Sequence, residues 1–97
     1  MVFEVEMLAF QEGVIRKVDV PDEVFYELES VMDVLEQVFH YGQNDFQPVE
    51  GRCSVSVGDV IRIDDPRGIT RWRVANFGFN KLTRRKETLL DSLVPSI

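Results

Sequence analysis

Three side chains near the middle of the chain are of the types that nucleophilic catalysis uses. Cys53 would supply a thiolate, His40 would act as its base, and Asp45 would orient the imidazole ring. A reactive thiol needs a base or a positive field that lowers its pKa. Cys53 instead alternates with Val55 and Val57, which is the pattern of a buried thiol. We therefore expect no catalytic residue and predict that the protein is not an enzyme.

The same side chains are also too few for a metal centre. Zinc sites need three or four convergent ligands, and the chain has one histidine and one cysteine. Its glycines form no phosphate-binding motif. The sequence therefore predicts neither a metal nor a cofactor.

A polar run, from His40 to Pro48, follows an apolar segment with helical spacing and contains several hydrogen-bonding side chains. A polar loop on a rigid frame suits recognition of a partner. The residues predicted to bind a protein partner are Tyr41, Gln43, Asn44, Asp45, Gln47, Ser54, Ser56 and Asp59. The alternative is structural, because Asn and Asp side chains also satisfy backbone amides at turns.

Basic side chains in the second half of the chain suggest another class of partner. Those predicted to contact nucleic acid, in this alternative, are Arg62, Arg67, Arg71, Arg73, Arg84, Arg85 and Lys86. Such groups bind phosphates, and Trp72 or Phe77 would stack on bases if exposed. Exposed basic residues on strands also protect sheet edges from aggregation. Because the net charge is −6, nucleic acid is the less favoured partner.

Charge is distributed unevenly along the 97 residues. Residues 1–48 hold 2 Lys/Arg and 11 Asp/Glu, a net charge of −9, whereas residues 49–97 hold 9 and 6, a net charge of +3. Glu29, Asp33 and Glu36 form an acidic stripe, which indicates a solvated helix face. The alternative is an acidic DNA mimic that blocks a nucleic-acid enzyme.

The first half predicts a hairpin followed by a helix. Phe3, Val5 and Met7 alternate with Glu4 and Glu6, as in a strand, and a second alternating run follows Gly13. Arg16 interrupts the apolar side of that second run. From Val24 to Phe39 the apolar spacing becomes three and four, which predicts an amphipathic helix that starts or restarts at Ser30. We expect Gly42 to end it in a left-handed conformation and Phe46 to anchor the following loop in the core.

The second half predicts further strands. Residues 53–57 alternate, Gly58-Asp59 indicates a bulge or tight turn, and the pattern resumes over residues 60–63. The run from Asp64 to Gly68 is typical of a hairpin loop, and a return strand follows it and ends near Phe79.

Size and composition favour a single domain. We predict an α+β fold over residues 1–82, with one main helix on a small antiparallel sheet in the order β-β-α-β-β. Residues 83–97 are expected to be a tail or a short helix, and their leucines would finish the core or form a homodimer contact. No apolar run approaches the length of a membrane span, and the single cysteine suits a reducing compartment. The protein is therefore expected in the cytoplasm and not in a membrane.

One stretch resembles a known group of proteins. The run from Tyr41 to Gln47, followed by SVSVGDVI and an aromatic residue in the return strand, is similar to YodL-like domains. The resemblance covers residues 40–79, with Trp72 at the position of a tyrosine-like aromatic. It implies an accessory or interaction domain of a phage, plasmid or other mobile element, and it implies no reaction. The expected function is a non-enzymatic module that binds an unidentified protein partner.

Overall fold

The computed structural model describes residues 1–9, 13–49, 51, 53–65 and 68–82, and within them a five-stranded sheet carries two helices. The strands are β1 Val2–Met7, β2 Val14–Asp19, β3 Val60–Asp65, β4 Gly68–Val74 and β5 Phe79–Leu82, and the helices are α1 Asp22–Phe25 and α2 Val31–Tyr41. The strand order is β2-β1-β3-β4-β5, with every neighbouring pair antiparallel. The predicted α+β class is confirmed.

Both predicted hairpins form. In the first, Phe3 lies opposite Val18 and Val5 opposite Arg16. In the second, Ile61 lies opposite Trp72, and Asp65 opposite Gly68 closes the strand pair. The alternation of apolar and polar residues sets these registers because the apolar side chains of both hairpins must reach the same core.

The return strand ends earlier than the sequence predicts. β4 stops at Val74, and the backbone amide of Ala75 donates to the carbonyl of Gly78 at 3.0 Å. Gly78 has a φ of +84°, which a glycine adopts without steric strain. The chain then turns back as β5, so the expected order β-β-α-β-β lacked a fifth strand.

The alternating segment at residues 53–57 is not a strand, which corrects the prediction. Within it, the backbone of Val55 pairs with residues at the end of α2 and not with a strand. The amide of Val55 donates to the carbonyl of Gly42 at 3.1 Å, and the side chain of Gln43 donates to the carbonyl of Val55 at 2.9 Å. Alternation therefore marks the buried side of this segment without identifying what it pairs with.

The predicted helix is divided at Ser30. After α1, the amides of Glu27 and Leu28 donate to carbonyls three residues earlier, which winds the chain too tightly to continue as an α-helix. Ser30 is extended, at φ −145° and ψ 163°, and its hydroxyl accepts the amide of Asp33 at 3.1 Å. The predicted restart is confirmed, and α2 begins with a serine N-cap.

Gly42 ends α2 as expected, but for a different reason. Its φ is −79°, which any residue adopts, so the predicted left-handed conformation is wrong. A Cβ at this position would lie 2.5 Å from Cγ2 of Val55. The glycine is needed because the segment containing Val55 passes directly against the helix end.

The core lies between one face of the sheet, the inner face, and helix α2. It contains Phe3, Val5, Met7, Val18, Val20, Leu35, Val38, Val55, Ile61, Ile63 and Val74. Among the described residues, the opposite face of the sheet carries mainly charged side chains. We call it the outer face and define it by Glu4, Glu6, Lys17, Arg62, Asp64, Arg71 and Arg73. The register places Arg62, Arg71 and Arg73 together on this face.

The predictions for residues 83–97, a tail, a short helix or a homodimer contact, lie outside the described residues.

Candidate functional site

Arg16 is the residue that organises the loop after α2. It lies on β2, points into the inner face and is 2% exposed. One terminal nitrogen donates to Oδ1 of Asn44 at 2.9 Å and to the carbonyl of Cys53 at 2.6 Å, and the other donates to the carbonyl of Gln47. A single guanidinium therefore ties three positions of the connection between α2 and β3 to the edge strand of the sheet.

The acceptors around Arg16 are neutral oxygens. Burial lowers the pKa of its guanidinium, which starts far above neutrality, so the group remains charged. Its Nε makes no hydrogen bond within the described structure. Removing Arg16 would remove the hydrogen bonds that its guanidinium donates to all three oxygens. Its role is to brace the loop.

Amide side chains complete this framework. We call residues 43–48 the helix-end loop. The amide nitrogen of Gln43 donates to the carbonyls of Phe39, at 2.8 Å, and Val55. The side chain of Gln47 accepts the amide of Asp19 at 3.0 Å and donates to the carbonyl of the same residue. Gln47 thereby occupies backbone groups at the free edge of β2, as a further strand would.

The remaining polar residues of the predicted site also bond within the chain. Ser54 Oγ accepts the amide of Asn44 at 2.9 Å, and Ser56 Oγ donates to the carbonyl of Ser54. Asp59 is 1% exposed, and its carboxylate accepts the amides of Ala9 and Ser56, both at 2.8 Å. The structure thus brings these residues together as a framework. Protein binding by them stays a prediction.

The exposed part of the loop is aromatic. Phe46 is 54% exposed, so the expected anchoring in the core is wrong. Its ring lies 4.2 Å from the ring of His40 and 6.3 Å from that of Tyr41, measured between centroids. We call these three residues the aromatic patch. Asp45 is exposed beside it, and Val49 is a further exposed apolar side chain.

Sequence reasoning missed the aromatic patch because it treated His40 as a possible base and Phe46 as a core residue. The available signal was local. His40 and Tyr41 end the helix, and Phe46 follows after a short polar turn. This spacing lets the three rings contact one another on one side of the loop.

Helix α2 continues this surface. Met32, Glu36 and His40 are exposed and are spaced by four residues, so they lie in one row along the helix. We call this row the exposed stripe. It ends at His40, on which Phe46 packs.

The outer face is built differently, because its charges pair with each other. Arg62 donates to Glu4 at 2.9 Å and to Glu6 at 3.0 Å, and Arg71 donates to both oxygens of Glu6 at 2.9 and 3.0 Å. The hydrogen bonds from Arg71, and then those from Arg62, hold the pKa of Glu6 below its ordinary value.

Two of the arginines predicted to contact phosphate are thus already bonded to carboxylates. Arg73 is exposed, whereas Arg67, Arg84, Arg85 and Lys86 lie outside the described residues.

The aromatic residues of the second half differ in exposure. Trp72 is half-buried, its indole nitrogen donates to Thr70 Oγ1 at 3.1 Å, and the ammonium of Lys81 lies 5.9 Å from the ring centroid. Phe77 is 97% exposed at the tip of the turn between β4 and β5.

The outer face also contains a shallow groove of about 390 Å³. Its lining mixes both signs of charge with apolar groups, and it consists of Met1, Val2, Phe3, Glu4, Lys17, Arg62, Asp64 and Ile69. This mixture indicates no particular class of ligand.

The structure places His40, Asp45 and Cys53, the side chains considered for catalysis, in three different surroundings. The ring of His40 packs on Tyr41 and Phe46, and Asp45 is exposed. Cys53 packs against the core, and its carbonyl accepts from Arg16. Among the residues that the structure describes, no group of three or more His, Cys, Asp or Glu side chains is placed to hold a metal ion. No helix in this part of the chain is long and apolar enough to cross a bilayer.

We found no protein-family model, no curated protein and no solved structure that matches this chain. The candidate site therefore rests on the geometry of the chain itself.

Proposed function

We propose that this protein is a non-enzymatic module that binds a protein partner through the aromatic patch. The observation that carries the proposal is the exposure of Phe46 on a loop that the chain holds rigidly. Large apolar side chains at exposed positions, when they lie together and are presented by a fixed backbone, are typical of protein interfaces.

The rigidity of the loop supports binding. The amides of Phe46 and Gln47 donate to the carbonyl of Gln43 at 2.9 and 3.0 Å, which forms a compact turn. The side chains of Gln43 and Gln47, together with Arg16, fix that turn to α2 and β2. A partner that binds Phe46 therefore does not have to order the loop, and less of the interaction free energy is lost to conformational entropy.

The chemistry of the patch also favours a protein partner. Because Phe46 is 54% exposed, burying the rest of its side chain on binding contributes about 1–1.5 kcal/mol. His40 and Tyr41 pack with Phe46 and carry an imidazole and a hydroxyl as polar groups. Aromatic centres with polar surroundings are enriched among residues that contribute most to binding.

The proposed context is that of an accessory protein of a phage, plasmid or other mobile element, in the cytoplasm. It rests on the resemblance of Tyr41 to Gln47 to YodL-like domains and remains a proposal.

Affinity capture from a lysate of the source cells, treated with nuclease, tests the proposed function. The chain is compared with Phe46→Ala and with Phe77→Ala, which removes a more exposed phenylalanine from a different surface. We expect Phe46→Ala to reduce recovery of one captured protein about ten-fold or more, and Phe77→Ala to leave it unchanged.

Equal recovery with Phe46→Ala, or loss only with Phe77→Ala, would contradict the proposal. A partner that disappears on nuclease treatment would indicate nucleic-acid binding instead.

A further inference from the structure

We infer that the partner presents a basic segment with apolar side chains, which lies along α2 from Met32 to the aromatic patch. This inference rests on the proposed function and adds the chemistry of the partner.

The shape of the surface comes from helical spacing. Met32 and His40 are eight residues apart, which is about 12 Å along a helix. Glu36 lies midway in the same row, and Phe46 extends the row beyond His40. The surface therefore has apolar groups at both ends and a carboxylate between them.

The charge of the surrounding residues is strongly acidic. Residues 20–41 contain six Asp or Glu and no Lys or Arg. Asp22 accepts from the Met1 amine at 2.7 Å, and Asp33 accepts the backbone amide of Glu29. Four glutamates remain that are exposed and that form no ion pair within the described structure, namely Glu23, Glu27, Glu29 and Glu36.

The contrast with the outer face identifies where a charged partner gains most. Glu6 already satisfies two arginines, so a cation that approaches it competes with Arg62 and Arg71. The carboxylates of Glu29 and Glu36 have no such competitor in the described chain. A basic partner therefore gains electrostatic attraction on α2 that the outer face does not offer.

The negative charge of these glutamates also favours some classes of binding partner over others. Nucleic acids and anionic membranes would bring negative charge against the glutamates. A second copy of the chain, packed face to face on α2, would place like charges together, which disfavours that pairing. A basic protein segment whose apolar side chains contact Met32 and Phe46 fits both features. Such helix-face and peptide recognition is a common mode of binding.

Titration of a synthetic peptide into the ¹⁵N-labelled chain, followed by NMR, tests the inference. The probe is a 12-residue peptide of Lys and Leu arranged at helical spacing. A matched peptide has Glu at every Lys position. We expect the Lys peptide to shift amide signals mainly between residues 32 and 46, and the Glu peptide to shift none of them.

Matched variants separate a local site from general attraction to an acidic protein. Glu29→Gln/Glu36→Gln and Asp19→Asn/Asp64→Asn change the net charge equally. The first pair lies just before and on α2, and the second lies at exposed positions of β2 and β3. The first pair is expected to weaken binding of the Lys peptide about five-fold or more, and the second less than about two-fold.

Equal weakening by both pairs, shifts centred on the sheet, or absence of binding would overturn the inference. Failure here is distinguishable from failure of the proposed function. A natural partner that is lost with Phe46→Ala but retained with Glu29→Gln/Glu36→Gln would support a protein-binding patch and overturn the basic partner.

Discussion

The outer face of the sheet and the face formed by α2 with the helix-end loop both carry many charges, but the chain uses those charges differently. On the outer face, Glu4 and Glu6 bond Arg62 and Arg71 within hydrogen-bond distance. On α2 and just before it, Glu36 and Glu29 face solvent. A charged side chain predicts a binding surface only when the chain does not already satisfy it.

The arginines of the two regions also differ in their hydrogen-bond partners. Arg62 and Arg71 are half-exposed and bonded to carboxylates, whereas Arg16 is buried among neutral oxygens of the loop. Ion pairs at the surface contribute little to stability. A buried guanidinium that bonds several acceptors contributes more, because its removal takes away all of those hydrogen bonds at once. Mutations on the two faces should therefore have unequal effects.

The largest effect is expected from Arg16→Met. It removes the hydrogen bonds that Arg16 donates to the carbonyls of Gln47 and Cys53 and to the amide oxygen of Asn44, so the free energy of unfolding should fall by about 3 kcal/mol. Urea denaturation measures this change. Arg71→Met is the matched variant on the outer face, and its expected loss is about 1 kcal/mol. Losses of similar size for both variants would contradict the distinction between the faces.

Gly42→Ala should have the next largest effect. The new methyl group would overlap Val55, and relieving that overlap should destabilise the protein by about 2 kcal/mol. Val55→Ala removes the obstructing methyl groups but leaves a cavity. The double variant should therefore be more stable than the sum of the two single losses predicts, by about 1 kcal/mol. Additive losses in this double-mutant cycle would show that the close approach of Gly42 and Val55 is unimportant.

Glu6→Gln is expected to change how stability depends on pH. Because hydrogen bonds from Arg71 and Arg62 lower the pKa of Glu6 in the folded state, its contribution is present above its unfolded pKa, near 4.5. It is lost as the pH falls through the lower, folded value. At pH 7 the variant should be about 1 kcal/mol less stable, and the difference should shrink on acidification below about pH 4.5. Thermal denaturation between pH 7 and 3 measures this, and a difference that stays constant would argue against the ion-pair network.

Phe46→Ala should have the smallest effect on folding. Its ring is more than half exposed and lies outside the core, so we expect a change within about 0.5 kcal/mol in the free energy of unfolding. Leu35→Ala, on the buried side of α2, is the contrasting variant and should lower the free energy of unfolding by about 3 kcal/mol. A large loss for Phe46→Ala would mean that the aromatic patch is structural.

The features that the sequence predicts correctly are local. The hairpins follow from alternation beside Gly and Pro turns, and the start of α2 follows from Ser30 and the apolar spacing after it. Their determinants lie within a few residues of each other, so no knowledge of the tertiary contacts is needed.

The errors concern residues whose surroundings come from elsewhere in the chain. Residues 53–57 alternate like a strand, but the end of α2 supplies the backbone partners of Val55, and Arg16 bonds the carbonyl of Cys53. Phe46 is apolar like a core residue, but Arg16 and Gln47 fix the loop so that its ring faces outward. Strand β5 has apolar residues only at its ends, Phe79 and Leu82, which lie on opposite faces of the sheet. The sequence of β5 therefore shows no alternation of apolar and polar residues from which its pairing with β4 could be predicted.

The sequence predicted a binding site in the region after α2, which stays a prediction, and it did not predict the aromatic patch in that region. The region after α2 was identified from its polar residues, several of which prove to bond within the chain. The exposed residues Asp45 and Phe46 lie between Asn44 and Gln47, which bond within the chain. Which polar atoms remain for a partner depends on contacts across 28 to 37 residues, such as those of Arg16, and those contacts are not apparent from neighbouring sequence.

The most direct test of the proposed binding surface is hydrogen exchange of the chain with and without the captured partner. Binding on α2 and the helix-end loop predicts slower exchange of backbone amides between residues 32 and 46, with little change in β3 and β4. Slower exchange confined to the outer-face strands, with residues 32–46 unaffected, would contradict this assignment of the surface.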